Sequence, residues 1–197
     1  MSKNITPVVS HISETKRFQL MGQKGCVIWL TGLSGSGKST IGSLLEAHLF
    51  EAGFKVFMLD GDNLRSGLNK DLGFSEEDRE ENIRRVGEVS KLLSDAGIIV
   101  ISAFISPFSV DREKAKRSIG ADRFVEVFVD CPVSVCEQRD VKGLYKKVRE
   151  GAIKNFTGID SEYEPPENPD VVLHTDKESA IESLRYLADF VQDKITL

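Results

Sequence analysis

Gly32-Leu33-Ser34-Gly35-Ser36-Gly37-Lys38-Ser39, with Cys26-Val27-Ile28-Trp29-Leu30 ahead of it, is the stretch whose reading decides the fold. The eight residues fit G-x-x-x-x-G-K-[ST]. The apolar run before them reads as a buried strand, and Thr40-Ile41-Gly42-Ser43-Leu44-Leu45 after them has helical spacing. Strand, glycine loop, helix is the setting in which backbone N–H groups turn inward around a polyphosphate, helped by the positive end of the helix. Gly32 through Thr40 are therefore the expected ATP-binding residues. Lys38 is expected to neutralise the transferred phosphoryl group with no packing role of its own, and the Ser39 hydroxyl to ligate Mg²⁺. A flexible Gly/Ser linker, the plain alternative, needs neither the lysine nor the buried strand.

Working outward, four further apolar runs, residues 55–59, 98–103, 124–129 and 171–174, join 26–30 as candidate strands. Most are continuous rather than alternating, as in parallel strands covered on both faces. Helical patterns separate them, and Gly53 and Gly97 each stop a helix just before a strand. The expected architecture is a three-layer α/β fold: a five-stranded parallel sheet with helices on both faces. Residues 177–195 read as a closing amphipathic helix with Ile181, Leu184, Leu187, Ala188 and Val191 on its apolar stripe. Residues 1–22 read as an N-terminal arm, with an extended arm and a short helix both open for 1–20, and 23–197 as one domain.

At 197 residues, with 40% hydrophobic and 29% charged content, the chain has the makings of one soluble α/β unit. A net charge of -5 argues against non-specific nucleic-acid binding, which needs a broad basic face. Three cysteines, Cys26, Cys131 and Cys136, cannot all pair internally and lack zinc-site spacing. Reduced thiols are expected. No apolar stretch has the length of a bilayer span, and the first 23 residues lack the apolar centre of a secretory signal. A cytoplasmic protein with no membrane partner is expected.

In a doubly wound sheet, ligands sit beyond the carboxyl ends of the strands. The loop after the second strand is Asp60-Gly61-Asp62-Asn63-Leu64-Arg65. One carboxylate, Asp60, suits the magnesium shell through water; the other, Asp62, suits proton acceptance from an attacking hydroxyl. Arg65 offers a planar fork to an anion. The plain reading is a polar turn with Asp62 as a helix N-cap. Further on, Ser75 and Asp78 carry a capping signal, and Arg79, Asn82 and Val86 share one helix face. Phe74, just before the cap, is either a hydrophobic staple or a base-stacking platform.

Together these residues resemble the adenylyl-sulfate kinase (APS kinase) family. The matching pieces are Gly32 through Thr40, Asp60 through Arg65, Leu72-Gly73-Phe74 with Arg79 and Asn82-Ile83-Arg84-Arg85, and Phe104-Ile105-Ser106-Pro107. Phe128-Val129-Asp130, Glu137-Gln138-Arg139-Asp140, Lys142 through Lys147 and Phe156-Thr157-Gly158-Ile159 complete them. The likeness runs in order over nearly the whole chain after about residue 20. Val141 departs from it, standing where the family pattern has proline in a lid loop.

The resemblance implies a P-loop kinase fold with a helical lid. Its activity is transfer of the γ-phosphate of ATP to the 3′-hydroxyl of adenosine 5′-phosphosulfate (APS), with Mg²⁺ and as a homodimer. Arg65, Arg79 and Asn82 are implied to hold the phosphosulfate and ribose side. Phe74 and Phe156 sandwich the adenine and Ile105 walls the pocket. Ser106 matches a serine described in the family as a phosphoserine intermediate. No histidine or lysine base is evident beside it, so direct transfer is the expected route. The basic stretch 139–154 is the expected lid, with Arg139 on the ATP base and Lys142 on phosphate.

Three rivals are weighed by sequence. Another P-loop small-molecule or nucleoside monophosphate kinase shares the phosphate loop and lid but has no reason to carry Phe74, Phe156 and Ile105-Ser106-Pro107. A guanine-nucleotide switch needs N-K-x-D after a late strand, and Asn69-Lys70-Asp71-Leu72 breaks that pattern and comes too early. A dinucleotide-binding oxidoreductase needs glycine where Thr40 stands.

Overall fold

The computed structural model describes residues 10–197. Five parallel strands, β1 (Cys26–Thr31), β2 (Val56–Asp60), β3 (Ile99–Ala103), β4 (Phe124–Asp130) and β5 (Val171–His174), form one sheet in the order β2-β3-β1-β4-β5. Each expected strand is present, offset by at most one residue at either end.

The order explains the continuous apolar runs. β1 is central, and all six of its residues are buried. Cys26, Ile28 and Leu30 face one side, where α2 (Lys38–Glu51) and α8 (Ala180–Ile195) supply Ile41, Leu45, Leu187 and Val191. Val27 and Trp29 face the other, against Ile83 and Val86 of α4 (Glu76–Asp95) and Ala115 and Ile119 of α5 (Ser109–Ile119). A strand covered on both faces has no position at which a polar residue costs nothing. The chain moves from β3 to β4 across β1, so loops diverge at the carboxyl end of the central strand and leave a crevice there.

Gly53 and Gly97 end α2 and α4 as expected. Each takes positive φ (89° and 96°), and its N–H, with that of the next residue, returns to carbonyls of the last turn. The closing helix differs from expectation at its start. It begins at Ala180, behind a capping box of Ser179 and Glu182, and Ile181 is exposed rather than on the apolar stripe. Ala180, in this first turn, is a lining residue of the cavity at the carboxyl ends of the strands. In the arm, α1 (Glu14–Met21) is a helix capped by Ser13; residues 1–9 of the expected arm lie outside the described residues. No helix among the described residues is long and apolar enough to cross a membrane.

Candidate active site

Above the carboxyl ends of β1, β2 and β3 lies a cavity of about 910 Å³. That is near the upper end of the range for small-molecule sites, ~300–1,000 Å³. One end is the phosphate loop, through Ser34, Gly35, Gly37, Lys38, Ser39 and Thr40. The other end is lined by Arg65, Phe74, Arg79, Asn82, Ile105 and Phe156, and Asp60 and Asp62 stand on the wall. Ser106, Arg139 and Lys142 also line it. Gly32, Leu33 and Ser36 are set back and build the loop instead. Leu33 packs its side chain with Cys131, Cys136 and Tyr145.

The loop needs its glycines for two different reasons. A Cβ on Gly32 would lie 2.5 Å from the Val129 carbonyl oxygen, so the chain passes β4 too closely for any side chain. Gly37 takes φ 106° at the N-cap of α2, a conformation that favours glycine, and with no side chain it leaves the first N–H groups of the helix uncapped. Those donors are available to an anion.

Lys38 corrects its sequence reading. The side chain is buried, and its Nζ donates to the Gly32 oxygen at 2.8 Å and the Leu33 oxygen at 2.7 Å. It therefore does hold structure, closing the loop on itself. Burial, only partly offset by Cys136 and Asp60, pushes the ammonium down to about 8, and the neighbouring Lys142 acts in the same direction. Below pH 8 the lysine is charged in folded and unfolded chains alike, and burying it costs stability. Between about 8 and the ordinary lysine value the folded protein sheds a proton that the unfolded chain keeps. Stability from this group therefore rises with pH across that window.

A polyphosphate beside Lys38 restores the charged form. ATP binding at pH 8.5 is thus expected to take up protons, seen as a dependence of calorimetric enthalpy on buffer ionisation enthalpy. Lys38→Met should lose that uptake. Equal uptake in both proteins would contradict the assignment.

Ser39 and Asp60 are already paired: Ser39 Oγ donates to Asp60 Oδ2 at 2.7 Å. Asp60 Oδ1 accepts from the Asp62 N–H at 3.0 Å, so Asp60, rather than Asp62, caps α3 (Gly61–Arg65). That leaves the Asp62 carboxylate free of the helix, and its Oδ2 accepts from Lys142 Nζ at 2.5 Å. An exposed pair of this kind contributes little to stability and exchanges partners readily. Among the described residues no cluster of three or more His, Cys, Asp or Glu could hold a metal alone. A hydroxyl and a carboxylate beside a phosphate loop nonetheless suit Mg²⁺, which takes few protein ligands and completes its shell with phosphate oxygens and water.

At the far end, Arg65 Nη1 donates to the Gly73 oxygen at 2.8 Å, and its guanidinium carbon sits 4.4 Å from the Phe74 ring centroid. Phe74 is exposed, which rules out the staple reading. Arg79 Nη1 donates to Thr157 Oγ1 (3.1 Å) and Ser161 Oγ (2.9 Å), and Nη2 donates to the Asn155 oxygen. Desolvation shifts both arginines down, offset in part by Asp78 and Asp62 at Arg65 and by Glu76 and Asp160 at Arg79; Arg79 adds to the shift at Arg65. Two partly desolvated guanidinium groups sharing one wall make an anion site. Phe156 packs edge-on against Tyr145, with centroids 5.0 Å apart, so it anchors the lid region and lines the cavity at once.

The lid elements are α6 (Val133–Arg139) and α7 (Leu144–Arg149). Arg139 donates to the Gly35 and Ser36 oxygens and to Thr175, tying the phosphate loop to the loop after β5. Its edges are committed to protein, which leaves a planar face for stacking. The Tyr145 hydroxyl donates to the Ser34 oxygen at 2.9 Å. Asp140 accepts from the N–H groups of Tyr145 and Lys146, each at 3.0 Å, starting α7. Val141, in the turn between the two helices, is highly exposed.

Ser106 is buried, with φ 45°. Its Oγ accepts from Trp29 Nε1 at 3.0 Å and donates toward the Phe104 oxygen at 3.4 Å. Among the described residues no basic side chain hydrogen-bonds that hydroxyl. Arg112, also buried, pairs with Glu126 at 2.9 Å and donates to the Ser106 oxygen (2.7 Å) and the Glu164 oxygen (2.8 Å). It clamps the loop after β3 to the segment following Phe156.

The Adenylylsulphate kinase family model matches residues 24–174. The chain belongs to the adenylylsulphate kinase family. It is 58% identical to an adenylyl-sulfate kinase of Clostridium acetobutylicum over 90% of this chain and 88% of that one. Against the enzyme of Clostridium kluyveri identity is 53%, over 98% and 97%. Among solved structures, the Mycobacterium tuberculosis APS kinase CysC in complex with AMPPNP and APS superposes with TM-score 0.82 and 49% identity, covering 86% of this chain and 98% of that one. Like the rest of its family, the chain is an ATP-dependent kinase. A gluconokinase from Sinorhizobium meliloti, at 18% identity and TM-score 0.56, shares the fold alone.

Several residues that build this kinase site were invisible in sequence. Arg112 lies in Ser109-Val110-Asp111-Arg112-Glu113-Lys114, which reads as a solvated helix face. Trp29 reads as core, and only the register of β1 against β3 puts its indole near Ser106. Tyr145 lies inside the Lys142 through Lys147 motif but with no sign of its bond to the Ser34 oxygen, and Thr175 belongs to none of the quoted motifs. Asn69 was noticed only as part of a broken guanine motif.

Proposed function

We propose that the chain transfers the γ-phosphoryl group of ATP to the 3′-hydroxyl of APS, giving 3′-phosphoadenosine 5′-phosphosulfate and ADP. The observation that carries this reading is the single cavity in which a phosphate loop faces two arginines, an asparagine and two phenylalanines, with carboxylates between. A kinase for a small sugar or acid has no use for two aromatic rings opposite its phosphate loop.

The ATP phosphates lie on the loop N–H groups and the start of α2, with the adenine against the face of Arg139. Lys38 leaves the Gly32 and Leu33 carbonyls for the transferred phosphoryl oxygens. Ser39, and Asp60 through water, would hold Mg²⁺, which when bound neutralises phosphate charge. Phe74 and Phe156 stack on the APS adenine, Ile105 walls it, and Arg65, Arg79 and Asn82 hold the ribose and phosphosulfate. Stacking holds the base while the cations hold the anion.

Lys142 exchanges Asp62 for phosphate, and the freed Asp62 accepts the proton of the 3′-hydroxyl. The 3′-oxygen forms its bond to the γ-phosphorus as the bond to the β-phosphate oxygen breaks, and ADP carries that electron pair away. Transfer is direct; Ser106, held by Trp29 and without a base, forms no phosphoenzyme.

We further propose a cytoplasmic homodimer whose catalytic unit is residues 23–197. Buried free Cys26, Cys131 and Cys136 suit a reducing compartment, and sedimentation measures the assembly. Coupled ADP release tests the substrate: turnover with APS is expected to exceed that with adenosine monophosphate by several orders of magnitude. Equal or greater turnover with the monophosphate would overturn the reading.

A further inference from the structure

We propose that Asn69 is a positioning residue that fixes Asn82 as a hydrogen-bond donor to the substrate. The inference rests on the assignment of Asn82 to the APS subsite. Asn69 lies in the connection between α3 and α4 and is fully buried. Its Nδ2 donates to Asn82 Oδ1 at 2.9 Å. That bond occupies the side-chain oxygen of Asn82, itself buried but a lining residue of the cavity. What Asn82 has left for a ligand is its NH₂, which reads acceptor oxygens such as those of a ribose, phosphate or sulfate.

The opposite amide orientation is the less favourable one. As it stands, Asn69 Oδ1 is buried without a partner. Turning both amides over would leave a buried N–H group without a partner instead, and native structures tolerate orphan carbonyls better than orphan donors. The connection holding Asn69 is itself fixed. Its N–H donates to the Leu64 oxygen at 2.8 Å, its carbonyl accepts from Leu72 at 3.1 Å, and Arg85 bonds both the Leu68 oxygen and the Asp71 carboxylate. A buried polar side chain with one of its two groups unpaired costs stability. A role in orienting the subsite accounts for its presence.

The test is steady-state kinetics on the full chain with Asn69→Ala, Asn69→Asp, Asn82→Ala and the Asn69→Ala/Asn82→Ala double variant. Asn69→Ala is expected to raise KM for APS roughly tenfold, leaving KM for ATP within twofold. In the Asn82→Ala background the same change should add less than twofold, because its effect passes through Asn82. Asn69→Asp keeps the size, but its carboxylate cannot donate. Full burial of the position lifts a carboxyl by up to ~3–5 units, so the variant should show a raised KM for APS at pH 9 that falls toward wild type at pH 6 as the carboxyl protonates and donates again.

Effects that multiply across the two sites, or that raise both KM values together, would make Asn69 a purely structural residue and overturn the proposal. Should Asn69→Ala fail to fold, the pH dependence of Asn69→Asp decides alone, and a flat profile overturns it. An Asn82→Ala enzyme with unchanged KM for APS removes the subsite assignment itself, a result distinct from failure of the coupling.

Discussion

A Lys38→Met enzyme is expected to keep its fold and to lose turnover by roughly 10²–10³-fold, the usual worth of one preorganised charge on a transition state. Methionine is the appropriate replacement because Lys38 is buried and bonded to two loop carbonyls. Alanine would add a void to the electrostatic change. The two loop carbonyls lose their donor in the variant, but a buried cation is removed with it. These contributions oppose each other, so the melting temperature should move by only a few degrees. Measured kcat near wild type with a normal melting curve would remove Lys38 from the chemistry. Loss of the folded state would show that its loop-closing bonds outweigh its catalytic role.

Asp62→Asn is expected to lower kcat by roughly 10²–10⁴-fold, the range for a positioned general base. Asparagine keeps the size and hydrogen-bonding capacity of the side chain but cannot take the hydroxyl proton. Asp60, not Asp62, caps α3, so the change should leave local structure alone and spare KM for ATP. Ser106→Ala belongs in the same experiment. Its hydroxyl is held by Trp29 and, among the described residues, bonds no basic side chain, and turnover should fall far less than in Asp62→Asn. A Ser106→Ala enzyme with no activity, together with a labelled phosphoenzyme formed at a competent rate from γ-labelled ATP, would replace direct transfer by a relay.

The fold was legible because its physics is local and repeated. β1 reads as one apolar run for the reason that both of its faces meet helices, and Gly53 and Gly97 announce helix ends by the positive φ that only they adopt cheaply. Ile181 misled because helical periodicity states which residues share a face and not which of them a neighbouring element covers. The phosphate loop was legible as the strand–loop–helix turn that brings Ser34, Gly35, Gly37, Lys38, Ser39 and Thr40 to the cavity, except that Lys38 was expected to hold nothing in place. Its anchoring carbonyls belong to the loop's three-dimensional closure, which spacing alone does not show.

The second half of the site was legible only in part. Asp60, Asp62, Arg65, Arg79 and Asn82 follow from strand ends and helix faces. Phe156 is eighty-two residues from Phe74 in sequence, and only the family resemblance joined the two before the cavity did. Arg112 and Asn69 act through backbone carbonyls and a second side chain, and such contacts leave no periodic trace.

The measurement that bears most directly on the central claim is where the transferred phosphoryl group lands. γ-Labelled ATP and APS are incubated with the protein, quenched within one turnover, and the nucleotide product examined by phosphorus–proton coupling. The label is expected to leave ATP and appear on the 3′-oxygen of the phosphosulfate nucleotide, with the phosphosulfate bond intact and ADP formed in equal amount. Label on a 5′-phosphate, or ATP consumed with APS present while the phosphosulfate nucleotide stays unlabelled, would contradict it.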